Sequence, residues 1–161
     1  MRALIVLAAM AVCASNNTAS AQQEEPVAPY VQSDSNAGAT PITDPAVLNA
    51  FHGREGIQRI ANRTIDLALA DPQIGPIFQP FDMVRLRRTL NEHFCYLLGG
   101  GCAYTGRDMA TSHAGMGVQT RDFNLLVRHL RTAMEEEGVP FAMQNRLLAL
   151  LAPMHRNVVG Q

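Results

Sequence analysis

The sequence predicts an all-α domain, on three observations. Apolar residues recur at spacings of three and four along several stretches, no stretch shows a convincing alternation of period two, and glycine and proline punctuate the intervals between them. With 47% hydrophobic residues among 161, the chain can bury one core, and two domains are not expected.

Residues 1–21 read as a cleaved export signal. Arg2 supplies the positive start, the run from Ala3 to Val12 is apolar but too short to span a bilayer, and Ala19-Ser20-Ala21 offers a small-x-small cleavage site. A lipid anchor on Cys13 is the alternative, although Val12 stands where such signals want a small residue. No later stretch is long and uncharged enough to cross a membrane, so the expected location is periplasmic or extracellular. Residues 22–42 are rich in Gln, Glu, Pro, Ser and Asn with few large apolar side chains, and are expected to be a disordered, solvated tether. The folded domain is expected over 43–159.

Within that domain Asp44-Pro45 caps and opens a short helix that runs through Phe51 and stops at Gly53. A second helix carries Ile57, Ile60, Ile65, Leu67 and Leu69, and ends where Asp71 precedes Pro72. A connector rich in Pro and Gly leads to Pro80. Asp82 caps a third helix with Met83, Leu86, Leu90, Phe94 and Leu97 on one face, terminated by Gly99 to Gly101. Met109 to Ala114 make little more than a turn, broken by Gly115 and Gly117, which places His113 at a helix end. Thr120 starts a fourth long helix with Phe123, Leu126, Val127, Leu130 and Met134, stopped by Gly138. Pro140 opens a last one whose Leu147, Leu148, Leu150, Leu151 and Met154 form a stripe running to about Val158.

Charge excludes one class of partner. All 13 basic residues are arginines, against 14 acids and a net charge of −1, so there is no electrostatic footprint for a nucleic-acid backbone. G-x-S-x-G, the P-loop pattern and H-E-x-x-H are absent, which sets aside the common hydrolase and nucleotide readings. Loss of Cys13 with the signal leaves Cys95 and Cys102, which either form a disulfide around three glycines or stay as two buried thiols. What remains is a helical apolar slot with one histidine at its edge, suited to a flat apolar cofactor ligated from one side.

The segments "GREGIQRI" from 53, "LADPQIGPIF" from 69, "DMVRLR" from 82, "LLGGGCAYTGRDM" from 97, "SHAGMGV" from 112, "DFNLLVRHL" from 122 and "GVP" from 138 stand in an order that resembles the group I truncated haemoglobins. These are truncated globins with a two-on-two helical sandwich. The resemblance implies haem b as cofactor and His113 as the proximal ligand of its iron. It implies Phe78 packed on the porphyrin face, and a distal side lined by Ile65, Leu86 and Leu90, with His93 and Phe94 further along. Met109, Phe123, Leu126, Leu147 and Leu151 match positions that wall the pocket. Arg85, Arg87 or Arg88 are candidates to pair with the haem propionates, or are simply solvated.

The chain departs from the family where a tyrosine and a glutamine often hold bound oxygen: Ile65 and Leu90 cannot donate. Fast oxygen release and easy autoxidation are expected. His93 is the remaining polar candidate, as a second axial ligand or as a side chain reaching a propionate or solvent. Tyr104 is expected to pack or bond locally, and His52, His129 and His155 are given no role. The expected function is reversible binding of a diatomic ligand, oxygen, nitric oxide or carbon monoxide; the alternatives are a nitric oxide dioxygenase or peroxidase-like enzyme, and a haem-free helical interaction module. A partner reductase is unidentified.

Overall fold

The computed structural model describes residues 23–161, and every structural statement below concerns those residues. The expected leader, with Cys13, lies outside them. Eight α-helices follow one another: α1 (Pro45–Ala50), α2 (Gly53–Ala70), α3 (Gly75–Phe78), α4 (Met83–Leu97), α5 (Met109–His113), α6 (Thr120–Glu136), α7 (Phe141–Leu151) and α8 (His155–Val158). Turns of 3-10 helix occupy Asp34–Ala37 and Ala152–Met154, and no strand occurs among the described residues. The all-α expectation holds, and the two-on-two layering with it: α2 packs on α4 and α6, while α7 lies against α6 and α4.

Local chemistry sets the helix starts. Asp44 accepts from the amide of Ala46, Asp82 from those of Val84 and Arg85, and Asp108 from that of Thr111, while Gln119 and Asp122 cap α6 reciprocally. The turn from α1 into α2 is tight: His52 is left-handed at φ 57°, and an added Cβ on Gly56 would stand 2.1 Å from the Phe51 carbonyl oxygen. Gly53 therefore begins α2 rather than merely ending α1. Pro153 has no amide hydrogen to donate, and the last stripe breaks there into α7, a 3-10 turn and α8.

The main core joins Phe51, Ile57 and Ile60 to Phe94, Leu97, Leu130, Met134, Leu147 and Met154. Burial of each such side chain is worth about 1.5–3 kcal/mol. A smaller cluster of Ala68, Ile74 and Leu125, with Ile77, Phe78 and Leu126 packed on it, lies apart from the first. Cys95 and Cys102 form a disulfide that ties the end of α4 to the following loop. Arg59 and Arg63 reach Glu137 and Glu136 and hold the middle of α2 to the end of α6.

One expectation is corrected. Residues 23–42, read as a solvated tether, lie against the domain. Ala37 is fully buried, and polar side chains do the anchoring: Glu24 reaches Arg85 and Arg88, Asp34 accepts from the Tyr104 amide at 2.9 Å, and Asn36 donates to the Gly106 carbonyl at 3.1 Å. The composition argument counted apolar area alone and overlooked this paired charge and hydrogen bonding.

Candidate functional site

His113 is the last residue of α5, a helix of 5 residues begun by the Asp108 cap and ended by Gly115 and Gly117, both left-handed. Its Nδ1–H donates to the Met109 carbonyl at 2.7 Å, because a carbonyl can only accept. Burial pushes its pKa below the ordinary 6.5, against the smaller opposing pull of the Met109 bond. The ring is therefore neutral, with a lone pair on Nε2 that makes no hydrogen bond among the described residues. An imidazole so oriented is ready to bind a metal from one side.

A cavity of about 60 Å³ opens beside this ring. Phe78, Phe123 and Leu126 line it with His113, so four of the side chains expected in the site come together. Ile74, Ile77, Met116, Val118, Asp122 and Val158 complete the wall and were not anticipated. The helical turn at α3 that presents Ile74 and Ile77 was hidden in a connector dense in Pro and Gly, where breakers mask the apolar spacing. Asp122 is a satisfied cap: its carboxylate accepts from the Gln119 amide at 3.0 Å and from Arg121 Nε at 3.2 Å.

The other expected residues stand elsewhere. Leu86 and Leu90 are half-buried on α4, and Ile65 is fully buried on α2. Phe94 and Leu147 belong to the main core, with Met109 and Leu151 half-buried against it, and none of the four lines the cavity. His93 is a correction: it is buried, with Nε2 donating to the Ala37 carbonyl at 2.8 Å and its ring 5.0 Å from that of Tyr104. The docked segment at 34–37, invisible to helical spacing, takes the nitrogen that was considered for iron, propionate or solvent. Burial also lowers the His93 pKa and lifts the Tyr104 hydroxyl up to about 12, and that hydroxyl donates to the Arg107 carbonyl.

The three candidate propionate arginines carry protein carboxylates. Arg87 reaches Asp66 and the Asn62 carbonyl on α2; Arg85 and Arg88 share Glu24, and Arg88 also reaches Glu92 at 2.7 Å.

The donor set fits a haem: a neutral imidazole with one free nitrogen, an aromatic ring beside it, and apolar walls. A volume of about 60 Å³ holds a water or two rather than a macrocycle. Beside the cavity, α5 contributes no fully buried side chain and packs mainly on α8.

Comparison with known proteins follows the same line. The family model described as bacterial-like globin matches residues 46–159. The group 1 truncated hemoglobin GlbN of Mycolicibacterium paratuberculosis is 31% identical over 109 residues, 68% of this chain and 80% of that protein. The group 1 truncated hemoglobin of Tetrahymena pyriformis is 27% identical over 93 residues, 58% of this chain and 77% of its own length. Among solved structures, the iron(III) form of the T. pyriformis protein superposes with a TM-score of 0.68 at 23% identity, covering 71% of this chain and 98% of its own; at that identity it speaks for the fold alone. Chlamydomonas reinhardtii THB1 superposes with a TM-score of 0.61 at 27% identity, covering 71% and 96%.

Proposed function

Because this chain belongs to the bacterial-like globin family, among the group 1 truncated haemoglobins, we propose that it binds a diatomic gas reversibly at haem iron held by His113. Haem with its iron is the cofactor of that family. When bound, it supplies the ferrous centre at which oxygen, nitric oxide or carbon monoxide attaches. The observation that carries the assignment is the geometry of one side chain: His113 is fixed through Nδ1 and free at Nε2 beside Phe78.

The rest of the chain's contribution is positioning and exclusion of water. The Met109 carbonyl holds the ring orientation and raises the basicity of Nε2. Phe78, Phe123 and Leu126 keep that side apolar. The resemblance places Ile65, Leu86 and Leu90 where the gas would bind; none could donate to a partly charged oxygen ligand there, which would remove a stabilisation of about 1–3 kcal/mol and favour fast release over retention. The same lack of donors weighs against a nitric oxide dioxygenase or peroxidase on this fold.

The test is a titration of the purified chain with haemin, beside His113→Ala. A Soret band that saturates at one equivalent in the wild type and is lost or shifted in the variant supports the proposal. A wild type that stays colourless sinks it and favours a haem-free interaction module.

We further propose that the protein works outside the cytoplasm, in the periplasm or beyond the cell. The Cys95–Cys102 bond supports this, since oxidising compartments preserve such bonds. Recovery of the chain only with cytosolic markers would refute it.

A further inference from the structure

Residues 24–37 make polar contacts with two parts of the molecule at once. On α4, the Glu24 carboxylate receives Arg88 Nη2 at 2.9 Å and Arg85 Nε at 3.3 Å. The Glu25 amide donates to Asp82 at 2.7 Å, and the Ala37 carbonyl receives His93. In the loop 103–107, Tyr30 donates from its hydroxyl to the Thr105 carbonyl at 2.7 Å, and Asn36 to the Gly106 carbonyl. Arg107 donates to the Ala28 carbonyl at 3.1 Å with its guanidinium 4.8 Å above the Tyr30 ring. That loop runs directly into α5, which carries His113.

We propose that residues 24–37 are a clamp that limits how far α5 can move away from α4, and thereby sets the rates at which haem enters and leaves. The inference rests on the haem reading above. A cavity of about 60 Å³ must widen to admit a macrocycle, and of the side chains of α5 none is fully buried and Met109 alone packs on the main core. The resistance comes from the loop before α5: α4 holds Thr105 directly, through Glu92 at 2.6 and 3.1 Å and through Arg88, and the 24–37 segment adds a second hold through Tyr104, Thr105, Gly106 and Arg107. The two ends of the clamp differ. Ala37 is fully buried and anchors the inner end. Glu24, about a quarter exposed, meets arginines that are 21% and 37% exposed, so the outer end is held by ion pairs that water can reach and exchange. The outer end is the part that opens.

Two variants of the full chain test this, one at each contact: Glu24→Gln, and the double variant Tyr30→Phe with Asn36→Ala. Haem loss is read as transfer of haemin to excess apomyoglobin, and amide exchange of residues 103–113 is followed in the haem-free chain. The clamp predicts haem loss about fivefold faster in both variants, and faster exchange over 103–113. Loss as slow as wild type in both overturns it. A Glu24→Gln chain that loses haem more slowly than wild type shows instead that Glu24 competes with the haem carboxylates for Arg85 and Arg88, and also overturns the clamp. If the wild type takes up no haem, the function proposed above fails, and the exchange measurement decides the clamp alone: unchanged exchange rejects it.

Discussion

His93, buried, and His113, half-buried, each make one ring hydrogen bond, but through opposite nitrogens. His93 spends Nε2 on the Ala37 carbonyl, whereas His113 bonds through Nδ1 and leaves Nε2 open toward apolar walls. Burial lowers both pKa values below the ordinary 6.5, so at pH values between the folded and unfolded pKa the unfolded chain binds protons that the folded chain refuses. Stability therefore rises with pH up to about 6.5 and falls on acidification below it. Thermal melts of the haem-free chain will show this slope, and His93→Gln, which keeps a donor for the Ala37 carbonyl, will flatten it in part because His113 still contributes. An unchanged slope means that His93 is not held neutral. On α4, Leu90→Gln adds a donor to a half-buried position of similar volume, and oxygen dissociation measured by stopped flow will slow by about tenfold if Leu90 faces the bound gas. The place of His113 at a helix end was legible in the sequence because Gly115 and Gly117 break the short helix, and its role as ligand came from the resemblance. The burial of His93 was not legible, because the group that covers it lies 56 residues away.

Among the elements, the turn between α1 and α2 has least tolerance. Gly56→Ala would push a methyl to 2.1 Å from the Phe51 carbonyl oxygen and 2.7 Å from the His52 Cβ, whereas Gly53, at φ 66°, has nothing within 4 Å. Chemical denaturation will show Gly56→Ala costing more than about 2 kcal/mol and Gly53→Ala about 1 kcal/mol. Equal costs would mean that the backbone relaxes around Gly56. At the end of α4, replacing both Cys95 and Cys102 by Ser opens the disulfide and will cost about 2–3 kcal/mol on the loop-entropy account. A variant as stable as wild type would show strain cancelling that gain. The long helices were readable because Asp82 and Gly138 mark ends among them and their apolar residues keep the helical period. Two features escaped: α3, four residues hidden between Pro72 and Pro80, and the break at Pro153, where an unbroken leucine stripe outweighed one missing amide.

For the molecule as a whole, the core is divided. One cluster is built on α2, α4, α6 and α7; the smaller one, around Ile74 and Leu125, borders the cavity beside His113. A haem seated there would be a component of the core, so uptake should raise the melting temperature further as haemin concentration increases beyond saturation, as linkage to the folded state requires. The all-α sandwich was legible because its pattern is repeated along the whole domain. The composition of the site was only half legible: Phe78, His113, Phe123 and Leu126 meet as expected, but Met116, Val118 and Val158 come from short pieces whose burial depends on how distant segments pack. The most direct test of the account is the iron–imidazole stretching band in the resonance Raman spectrum of the ferrous, haem-loaded chain. The band will be present in the wild type, absent in His113→Ala, and restored when free imidazole is added to that variant. A band that persists unchanged in His113→Ala without added imidazole would place the iron on another residue and contradict the account.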